Sequence, residues 1–435
     1  MRHKIIDTGV FQEKGWLKLD NAAKLFPAIV SNDLTSVFRI TAFLREPVKY
    51  SAIKEASDIT SKRFPYFSVS LHSGLFWHFL EFNDQPPRIQ LEEEVPCTAF
   101  ALKRTNEPLY RIIIKGNRIS VEFIHILTDG GGAMEYFKSL LYTYLTIAGK
   151  HIGSPGDIIL PGTPFAEEEI EDGYNKFFRK LPPPVKQGKA WHLPFGLSER
   201  PRLQVICGEL DVNEILEITH RYKVSVTEYF VSVYLFSLQE IFVACKRKSK
   251  KGRRKILRVE VPVNLRNKFP IRTMRNFSLF VLPELDLRLG TYAFEEILNS
   301  VHHQLQISTD IKQISRFISS NISYEKHYIL RVLPLFIKKM TIAAIYRGFA
   351  SKRFTGLMTN IGLVTLPGEM GEMIDSFELI SPPPNTKAKV TSAIVSYKGK
   401  VRICFSNITQ SSELEQRFFR HLALAGMHVK ILNKN

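Results

Sequence analysis

Cysteine is scarce in this chain: four in 435 residues, Cys97, Cys207, Cys245 and Cys404, spread far apart. No Cys-x-x-Cys and no Cys/His cluster occurs. That argues against a disulfide framework and a zinc site, and it fits a reducing compartment. Long apolar runs are missing as well. The nearest, Tyr229–Cys245, is interrupted by Gln239 and Glu240 and reads as a buried helix rather than a membrane span. The opening residues, MRHKIIDTGVFQEKGW, lack the apolar centre of a secretory signal. These absences lead to the expectation of a cytoplasmic protein. Acidic residues are under-represented, with 42 Asp and Glu against 60 Lys and Arg, a formal charge of +18. Such an excess suits nucleic acid, anionic lipid or an acidic substrate alike. Gly (24) and Pro (23) have no period, so a fibrous repeat is excluded, and 44% hydrophobic residues suffice for a large core.

What is present alternates between strand and helix patterns. Val37–Leu44 reads as a strand and Ser51–Arg63 as a helix with Ala52, Ile53, Ala56 and Ile59 on one face. Phe67–Phe82 reads as strands turning at 72–74, and Tyr110–Ile124 as a hairpin about Lys115-Gly116-Asn117. The helix Ala133–Ile147 carries Met134, Phe137, Leu140, Leu141 and Tyr144 on one side. Eight prolines then fall between His151 and Pro201, around an acidic cluster at Glu167–Asp172, which marks a crossover between lobes. The second unit opens with strand Leu203–Leu210 and helix Val212–Arg221, parallel in plan to the first strand and helix. It continues with helix Ser225–Cys245, strands Ile256–Val263 and Phe277–Leu282, and helices Phe294–Leu305 and Ile311–Ser319. A basic apolar helix around Pro334 (Ile329–Phe349), a hairpin about Lys398-Gly399 and a closing helix, Ser412–Leu422, complete it. The expected class is α/β (α+β), with a lobe at 1–155, a crossover at 156–200 and a lobe at 201–435.

The sharpest motif is His125-Ile126-Leu127-Thr128-Asp129-Gly130, continued by Gly131 and Gly132, between a strand and a helix. HxxxDG arises by chance in roughly one chain in twenty to thirty of this size, so its weight comes from context. On its own it also fits a half-buried histidine before a glycine-rich turn. In context, the strand–HxxxDG–helix arrangement resembles the chloramphenicol acetyltransferase-like superfamily. Its members include plant BAHD acyltransferases, wax ester synthases, nonribosomal peptide condensation domains and bacterial alcohol acetyltransferase-like proteins. Val261-Pro262-Val263-Asn264-Leu265-Arg266 is similar to that superfamily's strand ending in arginine, and Arg275-Asn276-Phe277 to the asparagine motif after it. Thr359-Asn360-Ile361-Gly362 resembles the SNxG-type segment of the wax ester synthase and alcohol acetyltransferase branches. Many relatives carry a double histidine; here Ile124 occupies the first position, which on a strand points to the opposite face. The pair His302-His303 lacks a following Asp-Gly and reads as ordinary helix.

The resemblance implies two such lobes, each a mixed sheet with flanking helices, and an active-site tunnel between them. It implies His125 as general base, a role suited to a side chain whose proton leaves near neutral pH. An acyl thioester is already activated, so direct attack by an alcohol needs no covalent enzyme intermediate. Asp129 is implied with His125 as the catalytic pair of the motif, its carboxylate paired with an arginine, Arg266 the candidate, while Gly130 and Arg266 support the site. The turn at Gly130–Gly132 leaves N–H groups at a helix start, where negative charge is favoured. Gly131, Thr359 and Asn360 are thus candidates for the oxyanion site or tunnel; Asn360 and Gly362 fit equally a turn chosen for backbone geometry.

The co-substrate implied is acyl-CoA or an acyl-carrier thioester, with no bound cofactor or metal, and the acceptor a small or lipophilic alcohol. The alternatives are carrier-protein-dependent condensation or N-acyl transfer, and a non-catalytic basic protein binding membrane or nucleic acid. Eight of the ten residues 246–255 are Lys or Arg. They form a solvated loop or a surface that speeds encounter with anionic coenzyme A or an acidic carrier. No aromatic platform or nucleic-acid module accompanies them, which disfavours nucleic acid. The helix around Pro334 reads as core, or as a peripheral membrane contact through Lys338, Lys339 and Arg347.

Overall fold

A computed structural model of the protein describes residues 15–92, 95–104, 106–246 and 255–432. Most of the basic run at 246–255 lies outside the described residues, as does the N-terminal stretch 1–14.

The first lobe is a five-stranded sheet in the order Ile374–Ile380, Val37–Leu44, Arg118–Ile124, Tyr110–Lys115, Arg88–Leu91. Helices Tyr50–Arg63 and Gly130–Ile147 pack together over it. The alternation in VFRITAFL sorts the two faces. Phe38, Ile40 and Ala42 enter an apolar core. Arg39 and Thr41 turn to the other face, where they meet Glu122 and Ser120 across the strand pair. A second, eight-stranded sheet runs Ser278–Val281, Ile256–Asn264, Gly356–Leu363, Val390–Tyr397, Lys400–Asn407, Gln204–Asp211, Lys430–Leu432, with Glu284–Asp286 also on Ile256–Asn264. Its covering helices are Val226–Lys246, Phe294–Ser308 and Glu413–Leu424. A small third sheet joins Trp16–Lys18, His78–Phe82 and Val69–Ser73.

Three differences from the sequence reading bear on function. The edge strand Ile374–Ile380 of the first sheet comes from the far end of the chain and was not expected. It pairs antiparallel to Val37–Leu44 and ties the two lobes together. Thr359-Asn360-Ile361-Gly362 lies on a strand, parallel to both neighbours, with a register shift just after Asn360. The stretch around Pro334 is two helices, Tyr328–Val332 and Leu335–Gly348, because proline cannot continue the first.

The reading of four unpaired cysteines is also corrected. Cys207 and Cys404 face each other across an antiparallel pair, Cα atoms 4.1 Å apart, and are disulfide-bonded. They stand 197 residues apart in sequence, so no local spacing announces them; only the pairing of Gln204–Asp211 with Lys400–Asn407 brings them together. Cys97 and Cys245 take no part in a disulfide among the described residues.

Candidate active site

His125 is the first residue past strand Arg118–Ile124, and Asp129 caps the helix Gly130–Ile147. Two hydrogen bonds fix the histidine backbone: its N–H donates to the Ser36 carbonyl (3.0 Å), and its carbonyl accepts from Asn276 Nδ2 (2.9 Å). The same Asn276 amide donates to Asp20 Oδ2 at 3.1 Å. The imidazole lies between two phenylalanines. Phe26 stacks on it at 5.4 Å with planes 17° apart, and Phe38 sits 4.7 Å away. The residue keeps partial solvent exposure. Burial lowers its pKa from the usual histidine range, against the opposing pull of Asp129, Asn276 and the Thr128 backbone. The ring is therefore neutral near pH 7 and able to accept a proton.

Asp129 does not hydrogen-bond that ring. Its Oδ1 accepts from the Gly131 and Gly132 N–H groups (3.1 and 3.3 Å). Its Oδ2 accepts from Arg266 Nη1 (3.0 Å) and the Phe277 N–H (2.8 Å). Burial pushes this carboxyl up, but the Arg266 charge and these donors outweigh it, and the pKa falls below the ordinary value. Arg266 stands in the turn after strand Ile256–Asn264 of the other lobe. Its remaining donors go to the carbonyls of Thr273 and Arg275 and to Asn264 Oδ1. Four of the guanidinium's five N–H groups are thus engaged, and the pair stitches the HxxxDG turn to the second lobe.

This geometry corrects the oxyanion expectation for Gly131. Its N–H is committed to Asp129, so the negative charge that the helix start holds is the protein's own. The glycines are required for close approach rather than for unusual backbone angles. A Cβ on Gly132 would overlap the Met274 carbonyl and Thr128 Oγ1, and one on Gly131 would press on Arg266. Gly130 lies against Ile361 of the strand Gly356–Leu363. Thr359 lies two residues earlier on that strand, before its register shift. Its hydroxyl has no hydrogen-bond partner among the described residues. Asn360 is occupied: Nδ2 donates to Thr227 and Oδ1 accepts from the Gly362 N–H, whose φ is +82°. It shapes the bend of its own strand and is not free to meet a ligand. His302 pairs with Glu228 on the covering helices, away from the motif.

Sequence reasoning passed over Phe26, Phe38 and Asp20. Phe38 carries a signal, lying on the strand whose register sets Val37 opposite Ile124, next to the motif. Phe26 and Asp20 come from an irregular N-terminal segment and carry none.

No protein-family model matches this chain, and no curated protein matches it in sequence. Solved structures do. TRI101 of F. sporotrichioides, complexed with coenzyme A and T-2, is similar at 12% identity over 96% of this chain and 100% of its own, with a TM-score of 0.61. TRI3 trichothecene 15-O-acetyltransferase from Fusarium sporotrichioides is similar at 10% identity over 98% and 96%, TM-score 0.61. The first condensation domain of the calcium-dependent antibiotic synthetase is similar at 13% identity over 96% and 99%, TM-score 0.60. The fold is therefore the two-lobed α/β architecture that these acetyltransferase and condensation-domain structures share.

Proposed function

We propose that the protein is an acyltransferase that moves an acyl group from a thioester, acyl-CoA, to the hydroxyl of an acceptor, with His125 as general base. The observation that carries this reading is the division of labour inside HxxxDG. The imidazole is neutral, partly exposed and fixed through its backbone, while the carboxylate four residues on is spent on Arg266 and the helix start. A histidine without an aspartate behind it and without a serine or cysteine to activate suits direct transfer better than a covalent relay.

In the step proposed, the acceptor O–H proton passes to the imidazole as its oxygen attacks the thioester carbon. The C–S bond then breaks, and the departing thiolate takes the proton from the imidazolium. Thr359, whose hydroxyl has no hydrogen-bond partner among the described residues, is the candidate donor to the tetrahedral oxygen. The formal charge of +18 favours encounter with a phosphate-rich coenzyme. Support for a hydroxyl acceptor and a coenzyme A donor comes from the likeness to TRI101 and TRI3.

A second reading, a carrier-bound donor, is favoured by the comparable likeness to a condensation domain. Incubating the protein with a panel of acyl-CoAs and matched acyl-carrier thioesters, against mixed alcohols and amines, tests both. Free thiol and product mass are the readouts. Ester formation from acyl-CoA is the expected result. Amide formation, or turnover with carrier thioesters alone, points to the second reading, and no thiol release from any donor overturns both.

A further inference from the structure

One face, made by a hairpin of the first lobe and two helices of the second, is apolar, cationic and uncovered by any of the described residues. Leu75 and Phe76, at the tip of the hairpin joining Val69–Ser73 to His78–Phe82, are 72% and 41% exposed. Tyr328, Val332, Phe336 and Met340 follow at four-residue steps and are 49–77% exposed. The two segments are in contact. The Leu335 N–H donates to the Leu75 carbonyl (2.9 Å), and Lys338 Nζ donates to the carbonyls of Phe76 (2.9 Å) and Arg331 (3.3 Å). Lys338 also sits 3.5 Å over the Trp77 ring. It is therefore a buried clamp between hairpin and helix, which corrects its expected place on a lipid-facing surface.

The cations that do face outward are Arg331, Lys339 and Arg347. Arg347 falls within about 20° of Phe336 around the helix and Lys339 about 60° to its side. No acidic residue occurs between Glu325 and Glu369, and the hairpin residues 68–80 include no Asp, Glu, Lys or Arg. A soluble helix ordinarily presents charges of both signs on its exposed side, so large apolar side chains on a helix whose own charges are all cationic need a complementary partner.

We infer that this face docks on the surface of an anionic lipid bilayer, with Leu75, Phe76, Phe336 and Met340 entering the headgroup boundary and Arg331, Lys339 and Arg347 meeting lipid phosphates. Two copies of a face whose helix carries only cations repel each other, so charge disfavours self-association as its use. The helix Leu335–Gly348 does not span a bilayer: it has 14 residues, and the one helix among the described residues long and apolar enough to do so, Val226–Cys245, is mostly buried in the second lobe. The opposite side of Leu335–Gly348 packs on the segment Phe26–Ile29, whose Phe26 stacks on the His125 ring. The lipid-facing surface is thus two packing layers from the imidazole. If the proposed activity holds, this favours a lipophilic acyl chain or alcohol drawn from the membrane.

Sedimentation of the full chain with vesicles of phosphatidylcholine alone, and of phosphatidylcholine with phosphatidylserine, tests the docking without any assay of catalysis. The protein is expected to bind the anionic vesicles, to release with added salt, and to ignore the neutral ones. Each interfacial cation contributes about fivefold in affinity, so the double variant Lys339→Gln, Arg347→Gln should bind roughly 25-fold more weakly. Phe336→Ser with Met340→Ser should also lose binding, with its unfolding temperature unchanged because both side chains are exposed. His125→Ala should bind as well as the unaltered protein. Equal binding to both vesicle types, insensitivity to these substitutions, or a dimer in light scattering that the Phe336→Ser, Met340→Ser protein lacks, overturns the inference. Acyl transfer measured with soluble substrates stands apart from all three outcomes.

Discussion

Arg266 reaches across 137 residues of chain to place Nη1 3.0 Å from Asp129 Oδ2, on the same oxygen that accepts the Phe277 N–H. One carboxylate thereby caps a helix in the first lobe and anchors a turn of the second. The residue that the HxxxDG spacing makes look like a catalytic partner is in fact the joint that holds His125 where the lobes meet.

Breaking that joint should cost stability and activity together. Arg266→Gln leaves Asp129 charged in a buried place with fewer donors, an expected loss of about 2–4 kcal/mol in urea unfolding. Asp129→Asn should cost a similar amount. The double variant should lose clearly less than the sum of the two, because neither partner is then left as an uncompensated charge. Strict additivity would show that the two side chains are not coupled.

The glycine run should be intolerant at one position in particular. Gly132→Ala places a methyl group against the Met274 carbonyl, a backbone atom that cannot step aside. A loss of at least about 2 kcal/mol is expected. Gly130→Ala, which meets only the side chain of Ile361, should cost less. Comparing their unfolding midpoints checks the order.

Asp20 supplies a pH signature. Burial, opposed by Arg275, raises its carboxyl from the ordinary 3.8 to about 6 in the folded protein. Between those values the folded state holds the proton more tightly than the unfolded one, so this group's contribution falls as pH rises from about 4 to about 6. The loss amounts to about 3 kcal/mol and is complete above pH 6. Asp20→Asn should lose this slope, so that the difference between the two stability curves displays it. An unchanged slope would place the titration elsewhere.

The pH dependence of turnover should follow His125. Burial lowers its pKa from the usual 6.5, so the midpoint of the acid limb of kcat/KM should lie below 6.5. A midpoint above 6.5 would mean that another group sets the limb.

How much of this was legible beforehand varies with the range of the interaction. The hairpin Tyr110–Ile124, the helix after Asp129 and the His125–Asp129 spacing are written locally, in period-2 and period-3.6 patterns and in a capping aspartate. The strand Ile374–Ile380 was missed because what makes it a strand is its pairing with Val37–Leu44, some 335 residues away. The Cys207–Cys404 bond was missed for the same reason. Phe26, stacked on the imidazole from an irregular segment, has no periodicity to betray it. Lys338 shows the converse: read as one of a row of surface cations, it is turned inward by two carbonyls and an indole that sequence alone does not bring near.

The central claim rests on the imidazole of His125 taking the acceptor's proton. The most direct test is thiol release under saturating donor and acceptor by the unaltered protein and by His125→Ala, with unfolding curves recorded in parallel. A fall in turnover of at least about a hundredfold at unchanged stability is the expected result. Equal turnover by the alanine protein would contradict the account.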